Sequence, residues 1–163
     1  MELRIKYPEE WLYVKESEAI YLAAKHYFRR SDDFFKILTL ALNHLSEQGV
    51  ALRFIIGERF NDSELEVLIP KVIEIAIDGN IDNCVSARSF LIENLHHEIV
   101  KDKLMFVFDD LIQSHDEFIY RRIAELLVFI NYPDLRVRLM SECKHSKDEN
   151  LLEIYHDFIH QYS

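Results

Sequence analysis

Three glycines and three prolines are all that 163 residues offer for tight turning. A sheet protein of that length reverses its chain many times, and each reversal favours Gly, Pro, Asn or Asp for its dihedral angles. So sparse a supply points to helices joined by short polar corners. Apolar residues recur at helical spacing almost from end to end, which points the same way. Pro8 followed by Glu9 and Glu10 reads as a first turn, with the acids facing the positive end of the helix dipole. That helix is expected to continue to about Arg30. Ser31-Asp32-Asp33 caps a second helix, which runs through Leu45 and stops near Gly49. Residues 50–60 read as a short apolar helix, and Asn61-Asp62-Ser63 caps the next, ending around Asp78-Gly79-Asn80. Further helices are expected from Asp82 to about His96, over 98–114, 116–131, 134–144 and 149–162. The corners between the later ones are Ser114-His115-Asp116, Asn131-Tyr132-Pro133-Asp134 and Ser146-Lys147-Asp148. The expectation is an all-α chain of about nine short helices, one helical domain over residues 1–163.

Hydrophobic residues make up 49% and charged residues 29% of the chain, enough apolar mass for a packed core. No apolar run approaches the ~18 residues of a membrane span, and the charged MELRIKYPEEWLYVKE lacks the apolar centre of a signal peptide. A cytoplasmic protein with no membrane partner is the expectation. Cys84 and Cys143 sit in no CxxC or Cys/His spacing and read as ordinary helix thiols.

Net charge is −10, and its placement says more than its total. Residues 1–60 balance nine acids with nine bases, whereas residues 61–120 hold thirteen acids against Lys71, Arg88, Lys101 and Lys103. Nucleic-acid phosphates are repelled by such a field and a basic protein is attracted by it. The acidic centre, about residues 62–117, is therefore the expected partner surface.

Three segments are alike: ALRFIIGERF (51–60), SARSFLIENL (86–95) and YRRIAELLVF (120–129), about 34–35 residues apart. One helix pair per repeat of that length belongs to the α-solenoid class. HDEFIYRRIAELLVFI and IDNCVSARSFLIENL resemble the second helix of HEAT-type repeats, through Asp116, Ile119, Arg122, Ala124 and Leu127 in the first and Asp82, Val85 and Arg88 in the second. The resemblance covers residues 50–145 and implies a HEAT-like helical-hairpin solenoid, with an irregular helical domain as the alternative. It also implies that Arg122 pairs with an acid of a neighbouring repeat: Asp82, Asp109 or Asp110.

Four arginines, Arg121, Arg122, Arg136 and Arg138, interrupt the greasy stretch 118–139. On a helix of about 100° per residue, Ile119, Ile123, Leu126, Leu127 and Ile130 make the core face. Arg121, Arg122 and Glu125 fall opposite with Phe118 and Phe129, and Glu125 lies within helical reach of both arginines. Arg136 and Arg138, two apart, point to different sides. That pattern reads as structural rather than as a phosphate-binding face. Phe118 and Phe129 are either sandwiched between helices or anchors for a partner.

Catalytic signals are thin. Two ExxH motifs, ending at His96 and His156, suggest a di-iron carboxylate bundle with Glu64, Glu93, Glu125 and Glu153. Glu93, Glu153 and His156 lie off their core stripes, however, where bundle metals cannot be held. His156 and His160 stand at i,i+4 with no third ligand in the pattern. No GxSxG, phosphate-cradling loop or Cys–His pairing is present. The chain is expected to be no enzyme, to need no cofactor and to hold no metal. Acidity, size and absent catalysis are similar to small bacterial immunity proteins that neutralise secreted toxins. The expected partner-binding residues are Asp78, Asp82, Asp109, Asp110, Asp116, Glu117, Phe118 and Phe129. Two alternatives stand beside this: an adaptor or scaffold binding a peptide in a solenoid groove, and a di-iron-type metalloprotein.

Overall fold

The computed structural model describes residues 7–114 and 116–162, and every regular element among them is a helix. The N-terminal stretch MELRIK and His115 of the expected corner lie outside the described residues. Nine helices follow one another: α1 Glu9–Arg29, α2 Phe34–Asn43, α3 Leu45–Ile55, α4 Asp62–Asp78, α5 Ile81–Asn94, α6 Glu98–Ile112, α7 Glu117–Phe129, α8 Pro133–His145 and α9 Glu149–Phe158. Polar side chains cap four of the starts. Asn61 and Glu64 form a reciprocal capping box on α4, and Asn80, Asp116 and Asp148 each accept a backbone N–H in the first turn of α5, α7 and α9.

Several expected boundaries are displaced: the short apolar helix expected over 50–60 is Leu45–Ile55, and the last helix, expected over 149–162, ends at Phe158. The second helix ends at Asn43 instead of running to Gly49, because His44 takes an extended conformation (φ −109°, ψ 117°). Gly49 falls inside α3, where a Cβ would sit 3.2 Å from Asn83 Oδ1. It marks a close approach of α3 to α5 and not a helix stop.

The chain divides into two compact units, Met1–Leu38 and Thr39–Ser163, where the sequence reads as a single domain over 1–163. In the first, the Phe28 and Phe34 rings meet edge-on at 5.2 Å and the Arg29 guanidinium lies 4.4 Å from the Phe34 centroid. No residue of α1 is buried.

The second unit is built in two rows. Helices α3, α5, α7 and α9 pack each on the next, and α4, α6 and α8 do the same. Each helix of one row also packs on its chain neighbour in the other, as α4 does on α5, α6 on α7 and α8 on α9. Leu65, Leu68, Ile69, Val72, Phe90, Leu91, Leu104, Ile123, Leu127 and Leu139 fill the space between the rows. The expected α7 core of Ile123, Leu126, Leu127 and Ile130 is buried, and Ile119 half so.

Polar bonds along each row join residues about one repeat apart. Asn83 Nδ2 donates to Gln48 Oε1 across 35 positions, Gly57 N–H to Glu93 Oε2 across 36, and Tyr162 Oη to the Ala124 carbonyl across 38. Lys103 pairs with Glu66 at 3.5 Å, and Arg88 with Glu125 at 3.4 Å. The bond of Asn83 with Gln48 joins first turn to first turn, and that of Gly57 with Glu93 joins the two C-terminal ends. Lys103 with Glu66 and Arg88 with Glu125 join matching levels farther along, so helices of one row run in the same direction. Equivalent corners therefore follow one another along an edge.

Candidate functional site

Two corners of that edge carry the expected acids. Asp78 closes α4 and Asp82 opens α5; Asp110 stands near the end of α6 and Asp116 and Glu117 begin α7. Asp78, Asp82, Asp110 and Glu117 are exposed, and no ion pair engages them among the described residues. The cations of the same segment are taken: Lys71 by Glu74, Arg88 by Glu125, Lys101 by Glu98 and Lys103 by Glu66. What remains on the α4–α5 and α6–α7 corners is uncompensated negative charge, which is how the sequence's net of −9 over residues 61–120 reaches the surface.

Two of the expected residues already hold structural partners. Asp116 is the N-cap of α7, accepting from the Phe118 and Ile119 N–H groups. Asp109 is half-buried, its Oδ1 2.6 Å from Arg138 Nη1. That contact is ionic and out of line for a hydrogen bond, since Oδ1 is buried and has no aligned donor.

Phe118 and Phe129 are more than half exposed, at 51% and 59%. Each lies near a guanidinium, Arg122 at 5.0 Å from the Phe118 centroid and Arg88 at 5.5 Å from that of Phe129. They do not form one patch. Phe118 stands in the first turn of α7, next to the acidic corner, and Phe129 is the last residue of the helix, ~17 Å away along its axis. Beside Phe118 a recess of about 160 Å³ opens, lined by Glu117, Arg121, Asn150, Glu153 and Ile154.

All four arginines of the greasy stretch are spent inside the protein. Arg121 pairs across to α9, 2.8 Å from Asp157 and 3.9 Å from Glu153, rather than with Glu125 as its helical spacing suggests. Arg122 takes Glu125 at 3.2 Å, one turn along its own helix, and not Asp82, Asp109 or Asp110. The carboxylate of Glu125 is shared with Arg88 of α5, so the bond between repeats runs from Arg88. Arg136 donates to the Leu127 and Ile130 carbonyls and so closes the C-terminal end of α7.

A larger cleft escapes sequence reading. It encloses about 710 Å³ along α8 and α9, with Val137, Met140, Tyr155, Ile159 and Tyr162 as apolar lining and Lys144 on its wall. The only signal is two ordinary helical stripes, whose failure to be covered no pattern discloses. Burial pushes the Tyr162 phenol well above its usual range and the Cys143 thiol up to about 11, with Glu142 adding to the second. Neither is a nucleophile at neutral pH.

No group of three or more His, Cys, Asp or Glu among the described residues could hold a metal ion. Glu93 of the first ExxH motif accepts the Gly57 N–H, and Glu64 is spent in its capping box. Among the described residues no helix is long and apolar enough to cross a membrane. Compared with known protein families, curated proteins and solved structures, the chain matches none.

Proposed function

We propose that the protein is a non-enzymatic binding module, an acidic immunity protein that neutralises a basic toxin such as a nuclease by filling its active-site cleft. One observation carries the reading. Asp78, Asp82, Asp110 and Glu117 are exposed on successive corners while every cation of their segment is bound elsewhere. A phosphate-binding cleft presents cations at intervals along a groove, and a row of fixed carboxylates on rigid helix ends offers the matching charges without reorganisation. Phe118, beside the second corner, supplies an apolar anchor at the rim of a recess. The rows of helices with bonds spaced by a repeat support the HEAT-like reading, in which such an edge is a regular product of stacking.

The test is to recover the partner from the native cell and titrate it against wild type and the variant Asp78→Asn, Asp82→Asn, Asp110→Asn, Glu117→Gln. A basic partner, an association rate at least ~10-fold slower for the variant and steep weakening with salt are expected. An acidic partner, or binding indifferent to salt and to the four neutralisations, overturns the reading. The α8–α9 cleft favours the second reading, an adaptor holding a peptide in an apolar groove. Binding lost with Tyr155→Ala but retained in the neutralised variant selects it.

A further inference from the structure

The cleft along α8 and α9 repeats, one layer on, a groove that the second unit fills for itself. Helix α8 packs on both α6 and α7. Its Leu135 is buried among Phe108 and Leu111 of α6 and Leu126 and Leu127 of α7. At the edge of that groove Arg138 of α8 reaches α6, 2.6 Å from Asp109 and 3.2 Å from the Met105 sulfur.

Burial sets the register between α6 and α8. Val100, Leu104 and Phe108 are buried on the first and Leu135, Leu139 and Cys143 on the second, each 35 positions on. In that register Met105 corresponds to Met140 and Asp109 to Lys144. Met140 and Lys144 both line the α8–α9 cleft. A solenoid repeats its contacts from layer to layer, so the cleft is shaped as the seat of one more helix, lying on α8 and α9 as α8 lies on α6 and α7. Val137, 70% exposed on its wall, is apolar surface that such a helix covers.

The charge, however, is reversed. The filled groove offers Asp109 to an arginine, and the open one offers Lys144. No residue lining the open groove is acidic. Arg136 is spent on the α7 carbonyls, and His145 bonds the Ser141 carbonyl. Lys144 holds no ion pair among the described residues and stands 6.0 Å from the centroid of the Tyr155 ring. We infer that the cleft seats an amphipathic helix of a partner protein, with apolar side chains over Val137, Met140 and Tyr155 and a carboxylate at Lys144. This rests on the adaptor reading and deepens it, since the peptide becomes a helix with an acidic flank. The acidic edge repels such a helix, so the two surfaces sort their partners by charge.

Two peptides stapled into helices test this, with the same leucine stripe at i, i+3, i+4 and i+7, one flanked by glutamates and one by lysines. Binding is followed by fluorescence anisotropy on the full chain with its four edge acids neutralised, so that the lysine peptide has no second site there. The glutamate peptide should bind at least ~10-fold more tightly than the lysine peptide. Lys144→Glu should reverse that order. Val137→Glu, on an exposed position, should abolish binding of the glutamate peptide and leave the helical circular dichroism unchanged. A preference for lysine flanks, or one indifferent to Lys144→Glu, overturns the inference. Equal binding of an unstapled peptide with a central proline overturns the helix while the peptide groove stands. Self-association of the chain that Val137→Glu abolishes makes a second copy the occupant and overturns it as well. Binding of none of the peptides overturns the inference and the groove together.

Discussion

The bond between Gln48 and Asn83 offers a measurement of how the repeats are held together. Gln48 Nε2 donates to the Leu42 carbonyl at 3.0 Å, and Asn83 Nδ2 donates to Gln48 Oε1 at 2.9 Å. Both side chains are buried, at 4% and 7% exposure, so neither reaches water when its partner is removed. Gln48→Met keeps length and volume but strands two polar groups, the Leu42 carbonyl and the Asn83 amide. At about 1–3 kcal/mol for each stranded group, the substitution should cost ~2–6 kcal/mol. Asn83→Leu strands only Gln48 Oε1 and should cost ~1–3 kcal/mol. In the double variant the bond between α3 and α5 is gone from both sides and only the Leu42 carbonyl is left unmatched. Its cost should fall short of the sum of the singles by ~2 kcal/mol. Urea unfolding followed by helical circular dichroism, with the slope unchanged between variants, gives all three values. Strict additivity refutes the idea that these two residues act as one buried unit, and a neutral Gln48→Met refutes the bond itself.

The other predictions follow from single contacts. Gly79→Ala places a Cβ 2.5 Å from the Ile75 carbonyl oxygen and 2.8 Å from Ile75 Cγ2, so the α4–α5 corner must shift; a loss of ~1–3 kcal/mol is expected in the same urea assay. Alkaline pH should destabilise the fold. The Cys143 thiol and the Tyr120 and Tyr162 phenols all have raised folded-state pKa values, chiefly through burial. Their contribution is whole below the unfolded values and is lost as pH rises above about 9, by up to ~1.4 kcal/mol per pH unit for each group in its window. A melting temperature flat from pH 8 to pH 11 contradicts this. Arg136→Lys keeps the charge but loses the fork that reaches the Leu127 and Ile130 carbonyls, so it should cost ~1–3 kcal/mol. Arg121→Lys, whose pairs with Asp157 and Glu153 are partly exposed, should cost under about 1 kcal/mol.

How much of this is legible in the sequence depends on the range of the interaction. Caps act within four residues, so Asn61, Asp116 and Asp148 announce their helices directly. Facing is also local, and periodicity alone sets Phe118 and Phe129 opposite the core, where they stand. Bonds between repeats are not local. Gln48 and Asn83 are indistinguishable in sequence from surface amides, and a partner 35 positions away leaves no mark on either. For the same reason helical spacing assigns Glu125 to Arg121, although Arg121 bonds α9 and Glu125 bonds Arg88. Gly49 misleads in the other direction: read as a helix stop, it is small because another helix passes close by. The α8–α9 cleft is an absence of cover, and periodicity reports only which face is apolar.

Where the arginines go also bears on the proposed role of the acidic edge. A phosphate approaching residues 118–139 finds Arg121 on Asp157, Arg122 on Glu125, Arg138 on Asp109 and Arg136 on two helix carbonyls. Binding it means breaking one of these contacts inside an already negative field, which opposes the approach twice. A cationic side chain meets the reverse situation. Among the described residues Asp78, Asp82, Asp110 and Glu117 have no cation to give up, so the Coulomb gain is not offset by a lost pair. Because they sit at the ends of packed helices, their backbone is already fixed, and only side-chain freedom is lost on contact. The same economy accounts for the separation of roles along α7: Asp116 caps the helix and Arg121 ties it to α9, and Glu117 and Phe118 are left to face outward.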